Sequence, residues 1–508
     1  MMFGQKYRNG KQNTGRSPIA EEKVPEKLTI EWLRGWASLS SDLTIQEMDR
    51  EMTNSNERIV IVYFISMTNK ERLNEFLRHS VNEWMVRSSA ERTSAEEWFS
   101  RSSSWKKART GQDAAEAILE GMAMLFLPEC GLMLLADISD IPQRAPEEAN
   151  AEVSIKGPRD GFVECLATNI ALVRKRLATP LLCAEGFTIG SLSRTKVSIM
   201  YLNHIANPRM VEQTRARLRE INVDTMIGSG RLEEFLASKS IAMFPLVDST
   251  GRPDFVTESL SRGRIAILVD GSPTVLIAPV SLFMLMKSPE DSHSFFFFVF
   301  FERFIRLLGL FLSLFLPGFW VALAAYEIDQ LPMPLLAMVT NSRFGIPFSV
   351  PVEALLMLVM FELFREAGAK LPKPVGQIVA VVGGLVVGDS AIRAGLTSPS
   401  LLVVSAVCAV ATFTLINQSL SGTVSLIRLC VLLLASFFGM FGFFIGMLAT
   451  LAYLSTLESL GVPYLSPIAP LRLGEVAKAL FTLPWRYYRD RPKELHTLNP
   501  DRKDGTSP

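Results

Sequence analysis

Ser425-Leu426-Ile427-Arg428-Leu429-Cys430-Val431-Leu432-Leu433-Leu434-Ala435-Ser436-Phe437-Phe438-Gly439-Met440-Phe441-Gly442-Phe443-Phe444-Ile445-Gly446-Met447-Leu448-Ala449-Thr450-Leu451-Ala452-Tyr453-Leu454-Ser455 holds a single charge, Arg428. A domain surrounded by water keeps charge on its outer faces, so this run points to a hydrocarbon solvent. The scarcity extends outward. Between residues 375 and 456 the only charges are Asp389, Arg393 and Arg428, and between 304 and 325 only Arg306. Four segments, 304–326, 375–394, 399–416 and 425–455, approach the ~20 residues a helix needs to cross ~30 Å of hydrocarbon. The last is overlong, and Gly439, Gly442 and Gly446 are placed to bend or divide it. A fifth stretch, 351–364, is shorter and carries Glu353 and Glu362. It reads as an amphipathic, re-entrant or bundle-buried helix, with a full span as the alternative.

Outside these segments the chain is ordinary. Its 508 residues are 48% hydrophobic and 20% charged, which excludes disorder and collagen. Lys and Arg total 52 against 51 Asp and Glu, so no basic field points to nucleic acid. Five scattered cysteines show neither CxxC pairs nor zinc spacing. The opening Met1-Met2-Phe3-Gly4-Gln5-Lys6 has no apolar core of a signal peptide. Arg472, Lys478, Arg486, Arg489, Arg491 and Lys493 follow the last apolar segment and place the tail inside. Both ends inside requires an even number of crossings, favouring four plus the re-entrant piece.

The aqueous half repeats itself. Ile59-Val60-Ile61-Val62-Tyr63-Phe64 leads through Asn69 into a helical pattern, as Val197-Ser198-Ile199-Met200-Tyr201-Leu202 does through Asn207. Tyr63 and Tyr201 stand 138 positions apart; Gly121 and Gly263, which open a second pair of matching runs, stand 142 apart. A hairpin is expected at 265–278, because Asp270-Gly271 is a strong turn signal. The fold class is therefore α/β: a duplicated two-lobe cytosolic α/β domain followed by an all-α polytopic membrane domain of four or five spans. The expected boundaries are a disordered polar arm (1–27), a first lobe (28–150), an interlobe helical segment (151–195), a second lobe (196–285), the membrane domain (286–470) and a basic cytosolic tail (471–508).

Enzyme chemistry finds no support. Gly228-Ser229-Gly230-Arg231-Leu232-Glu233 departs from a dinucleotide fingerprint at its sixth position and reads as a helix start, with Ser229 or Gly230 as its cap. No GxxxxGK[ST], HExxH or GxSxG occurs, and no cofactor or metal is expected. The pore or helix-packing candidates lie in the membrane half. Gln377, Gly384, Gly388 and Gly395 share one helical face, either a packing seam or the wall of a pore. Asp389 stands four residues before Arg393, as an i, i+4 pair or as an acid on an ion path. Glu353 and Glu362 face a wet cavity or pair with an arginine in the bundle. In the interlobe segment, Arg159, Glu164, Arg174, Lys175 and Arg176 are candidates for contact with a neighbouring subunit or the membrane surface, against the plainer reading of a solvated helix.

Several ordered blocks resemble one family. They are Gly157-Pro158-Arg159-Asp160-Gly161-Phe162-Val163-Glu164 with Asn169, Met200-Tyr201-Leu202 with Asn207-Pro208, and Val269-Asp270-Gly271-Ser272-Pro273 with Ser288-Pro289-Glu290-Asp291. Phe361-Glu362, Arg365-Glu366-Ala367-Gly368, Leu371-Pro372 and Gly461-Val462-Pro463-Tyr464-Leu465-Ser466-Pro467 continue the series. Together they resemble the A subunit of the GerA-type spore germinant receptors. Leu358 and Asn417-Gln418-Ser419 depart from that pattern. The resemblance implies an integral protein of the spore inner membrane, working with a transporter-like B subunit that senses nutrient and a lipoprotein C subunit. It further implies self-association into a ring, of pentameric form, that conducts ions when nutrient is present. A non-conducting scaffold and a secondary transporter are the competing readings.

Overall fold

Strand order carries the duplication. In the computed structural model, which describes residues 24–51, 56–76, 105–129, 131–140, 156–237, 242–370, 388–480 and 490–502, two five-stranded sheets have the same arrangement. The first comprises β1 (Leu43–Glu51), β2 (Asn56–Phe64), β3 (Lys106–Lys107), β4 (Ala123–Leu127) and β5 (Leu132–Ala136), in the order β1-β2-β4-β5-β3. The second comprises β6 (Leu182–Ile189), β7 (Thr195–Leu202), β8 (Asp248–Thr250), β9 (Ile265–Val269) and β10 (Val275–Ala278), in the order β6-β7-β9-β10-β8. All pairings are antiparallel, and the register repeats as well. Ile61 sits opposite Leu125, and Ile199 opposite Ile267, so the partners keep the 138- and 142-residue spacings seen in the sequence. Continuous apolar runs buried on both faces explain these strands: β4, β5, β9 and β10 are buried throughout.

Several of the helices that cover these sheets start at side-chain caps. In the first lobe the helices are α1 (Ile30–Leu39), α2 (Lys70–Phe76) and α3 (Gly111–Leu119); in the second, α4 (Leu166–Arg176), α5 (Pro208–Glu220), α6 (Gly228–Leu236) and α7 (Pro253–Ser261). The Asn69 side chain accepts from the backbone N–H of Glu71 and Arg72, and Asn207 does the same for Arg209 ahead of Pro208 at the first helical position. Two expectations need correction. β6 lies inside the segment assigned to the interlobe helix, so the second sheet begins at Leu182 rather than after 195. α6 begins at Gly228 with Ile227 at its cap, rather than at Ser229 or Gly230.

Beyond the lobes come α8 (Phe296–Ala325), α9 (Met333–Ser342), α10 (Val350–Lys370), α11 (Gly388–Arg393), α12 (Pro399–Phe413), α13 (Gln418–Ser455) and α14 (Leu473–Leu480). Among the described residues only α8 and α13 are long and apolar enough to cross a membrane, and most of the expected span 375–394 lies outside the described residues. α10 is a helix of 21 residues, longer than the apolar stretch that announced it, because Arg365, Glu366 and Lys370 extend it past the end of the hydrophobic run. Arg365 reaches the Ser421 carbonyl at one of its ends, and Glu353 reaches Ser398 at the other.

α13 is a hairpin. A straight helix of its 38 residues would measure about 57 Å, nearly twice the hydrocarbon thickness. Gly439 instead takes φ 61° and ψ −139°, a region that L side chains avoid, and the chain reverses there. A Cβ built on Gly442 meets the Leu434 carbonyl, and one on Gly446 meets Val431, so the two limbs lie against each other. Both limbs start and finish at the second lobe. The Met243 carbonyl accepts from Thr423 Oγ1 at 2.5 Å on the outgoing limb, while the Met243 N–H donates to the Tyr453 hydroxyl at 2.9 Å on the returning one. The turn lies at the far end, where the Tyr326 hydroxyl at the end of α8 donates to the Ser436 carbonyl.

The chain after α13 docks on the second lobe. Ser459 Oγ donates to the Leu246 carbonyl at 2.6 Å, and the Leu282 N–H donates to the Tyr464 carbonyl. Further on, Leu495 is fully buried against the second-lobe core, and the Leu498 N–H donates to the Ile205 carbonyl. Tail and lobe therefore share one side of the bundle. Residues 1–23, which include most of the expected polar arm, lie outside the described residues.

Candidate functional site

The second lobe and the membrane helices enclose a cavity of about 1080 Å³. Asp248, Phe255 and Lys287 line its lobe end; Leu358, Phe361 and Leu401 line the part between α10 and α12. Blocks far apart in sequence build its lobe-side frame. The Gly271 N–H donates to the Glu164 carbonyl at 2.8 Å, and Asp270 Oδ1 accepts from the Leu166 N–H, so the Asp-Gly turn holds the start of α4. Asn169 closes the same segment through Val163, accepting at 2.8 Å and donating at 2.6 Å. Arg252 bridges Asp254 and Glu290, and Asp291 receives Arg303 and Arg306 from the first turns of α8.

Arg428 answers the question posed by an isolated charge in the apolar half. It is 5% exposed and pairs with Glu362 across from α10; Arg365 holds the other Glu362 oxygen at 2.6 Å. Arg428 also donates to Cys408 Sγ at 3.0 Å, Thr412 Oγ1 at 3.1 Å and Ser425 Oγ at 3.1 Å. Glu362 meets both of its readings: it lines the cavity and pairs with an arginine in the bundle. Arg428 was missed as a site residue because its partner lies 66 positions away. Its isolation among apolar residues was the available signal, since a buried charge needs an opposite one.

Glu353 is 1% exposed at the start of α12. It accepts from Ser398 Oγ at 2.6 Å, from the Ser398 N–H and from Thr397 Oγ1 at 3.2 Å. A carboxylate at a helix N-terminus is favoured by the aligned peptide dipoles. Asp389 and Arg393 form an exposed i, i+4 ion pair at 2.8 Å. Gly388 is buried against Leu402, whereas Gly395, at φ 67°, ends the helix instead of continuing its small-residue face. Gln377 and Gly384 lie outside the described residues.

The interlobe candidates divide. Glu164 precedes α4 and is not part of the helix. Arg174 is not available to a neighbouring subunit: it is fully buried and grips Asp42 of the first lobe with two bonds of 2.7 Å. Arg176 pairs with Asp160 at 2.5 Å. Arg159, Glu164 and Lys175 are exposed. Among the described residues no three His, Cys, Asp or Glu side chains gather as a metal would require.

Residues 31–494 match the family model described as Bacillus/Clostridium GerA spore germination protein. Spore germination protein XA of Bacillus anthracis is 42% identical over 394 residues, covering 78% of this chain and 80% of its own length. Spore germination protein GerLA of Bacillus cereus is 32% identical over 459 residues, covering 90% and 93%. The crystal structure of the N-terminal domain of the A subunit of the Bacillus megaterium spore germinant receptor GerK3 is 27% identical, with a TM-score of 0.38, covering 51% of this chain and 97% of that one. The family match runs through both lobes, the membrane helices and the docked tail, and the chain belongs to the GerA spore germination protein family.

Proposed function

We propose that this chain is the membrane A subunit of a nutrient-sensing spore germination receptor, and that copies of it form a ring that conducts ions when nutrient binds. Its place is the spore inner membrane, with the lobes and tail on the cytosolic side. A transporter-like B subunit would carry the nutrient site and a lipoprotein C subunit would complete the complex. The observation that carries the reading is the junction. One aqueous domain grips both ends of a membrane hairpin through Met243, beside a cavity that reaches the Arg428–Glu362 pair. Such a joint can pass a change in the lobes to the helices without enzyme chemistry.

A second reading, a non-conducting scaffold, is favoured by one observation. The three acids among the pore or helix-packing candidates, Glu353, Glu362 and Asp389, are all engaged by neighbours within the chain. Reconstituting the purified complex in liposomes and measuring cation flux separates the two. Flux that appears only with nutrient supports the channel; intact, nutrient-binding complexes without flux support the scaffold. Asp389→Asn adds resolution, since loss of flux with normal assembly would return that acid to the ion path.

A further inference from the structure

The junction cavity has a lysine without an ion-pair partner at its polar end. The side chain of Lys287, on its wall, forms no hydrogen bond or ion pair with any described residue. The acids around it are already taken: Glu258 by Arg262 and Ser292, and Asp291 by Arg303 and Arg306. Burial, followed by the nearby Arg262, Arg303 and Arg264, holds the Lys287 ammonium well below its ordinary range, with Glu494 opposing them. Deeper on the same wall, Arg428 and Arg365 share the single carboxylate of Glu362, and the buried Nε of Arg428 has no acceptor. Asp248 accepts from Asn417, and Glu366 pairs with Lys370. Of the three cations on the described wall, Lys287, Arg365 and Arg428, only Lys287 lacks a negative charge at ion-pair distance.

Position identifies the source of that charge. Lys287 lies nine residues before α8, whose first turns expose Phe297, Phe298 and Phe301, an aromatic girdle of the kind found at headgroup level. From there the cavity runs into apolar surface between α10 and α12, and Leu363, Val403 and Val410 stand exposed on the same two helices. A soluble anion has no use for that half. We propose that the cavity holds an anionic membrane phospholipid, its phosphate against Lys287 and an acyl chain between α10 and α12. A cationic side chain near the membrane surface contributes about 1 kcal/mol toward an anionic lipid, or about fivefold in affinity.

The test uses the full-length chain purified in a neutral detergent and titrated with dioleoyl phosphatidylglycerol, dioleoyl phosphatidylcholine or inorganic phosphate. Binding is read by native mass spectrometry and by thermal shift, with no nutrient or flux involved. Phosphatidylglycerol is expected to bind at least fivefold more tightly than phosphatidylcholine, and phosphate alone to leave the melting temperature unchanged. Lys287→Gln should remove the preference between the two lipids while leaving phosphatidylcholine binding as it was. Ala409→Phe, which fills the apolar end, should weaken both lipids; if that variant does not fold, Lys287→Gln still decides. Equal affinity for the two lipids, an undiminished preference in Lys287→Gln, or stabilisation by phosphate equal to that by phosphatidylglycerol would each overturn the proposal.

Discussion

Replacing Arg174 with Met tests whether the two lobes are clamped from within. The guanidinium makes two 2.7 Å bonds to Asp42, reaches Ser40 Oγ at 3.2 Å and lies 4.3 Å from the Phe64 ring centroid. Arg174 is fully buried and Asp42 is 7% exposed, so Arg174→Met leaves a carboxylate out of water with no cation. Breaking one side of a buried pair costs about 3–5 kcal/mol. At 1.4 kcal/mol per decade, amide hydrogen exchange of α4 and β1 in the full chain should accelerate by about two to three and a half decades. Met keeps the contact with Phe64. The double variant Asp42→Leu/Arg174→Met removes both charges and should recover at least about 2 kcal/mol relative to the sum of the single changes. Additive single effects, or an Arg174→Met chain protected to within about threefold of the original, would refute the clamp. Altered assembly with unchanged protection would return Arg174 to a subunit contact.

The hairpin in α13 predicts that a Val431→Cys/Gly446→Cys pair cross-links under mild oxidation, because a Cβ on Gly446 falls 3.5 Å from the Val431 Cα. In a straight helix the same positions would be about 22 Å apart and no disulfide would form. Glu258 supplies a pH test. Burial pushes its carboxyl up, but Arg262, Ser292 and Lys287 together hold it down at about 2. Its folded-state value is depressed, so the stabilisation is full above the ordinary carboxylate range and is lost as pH falls toward 2. Glu258→Gln should therefore lower stability at pH 7 by on the order of 2–3 kcal/mol, and the gap should close between about pH 5 and 2. A gap independent of pH would show that the charge is not what matters.

What could be read in advance followed from local pattern. The lobe repeat was visible because buried strands must be apolar at matched positions, and Asn69 and Asn207 mark the same helix start twice. β6 escaped notice because Glu185 and Gly186 interrupt its apolar run, and only pairing with β7 makes it a strand. The Arg174–Asp42 pair joins residues 132 positions apart, and no local rule connects them. The reversal at Gly439 was foreseen only as a bend or break, because glycine permits a left-handed backbone without requiring one. The charged end of α10 made a long helix look short, since Arg365 reaches Ser421 while Glu366 and Lys370 pair with each other in exposed positions.

Met243 sets the leverage of the bundle. Its N–H and its C=O each fasten a different limb of the hairpin at the base, while the tip at Gly439 meets Tyr326 at the opposite end. From its fastening at Thr423 to the tip at Gly439 the outgoing limb rises about 24 Å, and packed helix axes stand about 8–10 Å apart. A slip of about 1 Å between the two fastenings rotates a limb by about 6° and carries its tip by about 2.5 Å, a mechanical gain of roughly two and a half. A small movement at the lobe becomes, at the far end of the bundle, a displacement close to the diameter of a water molecule.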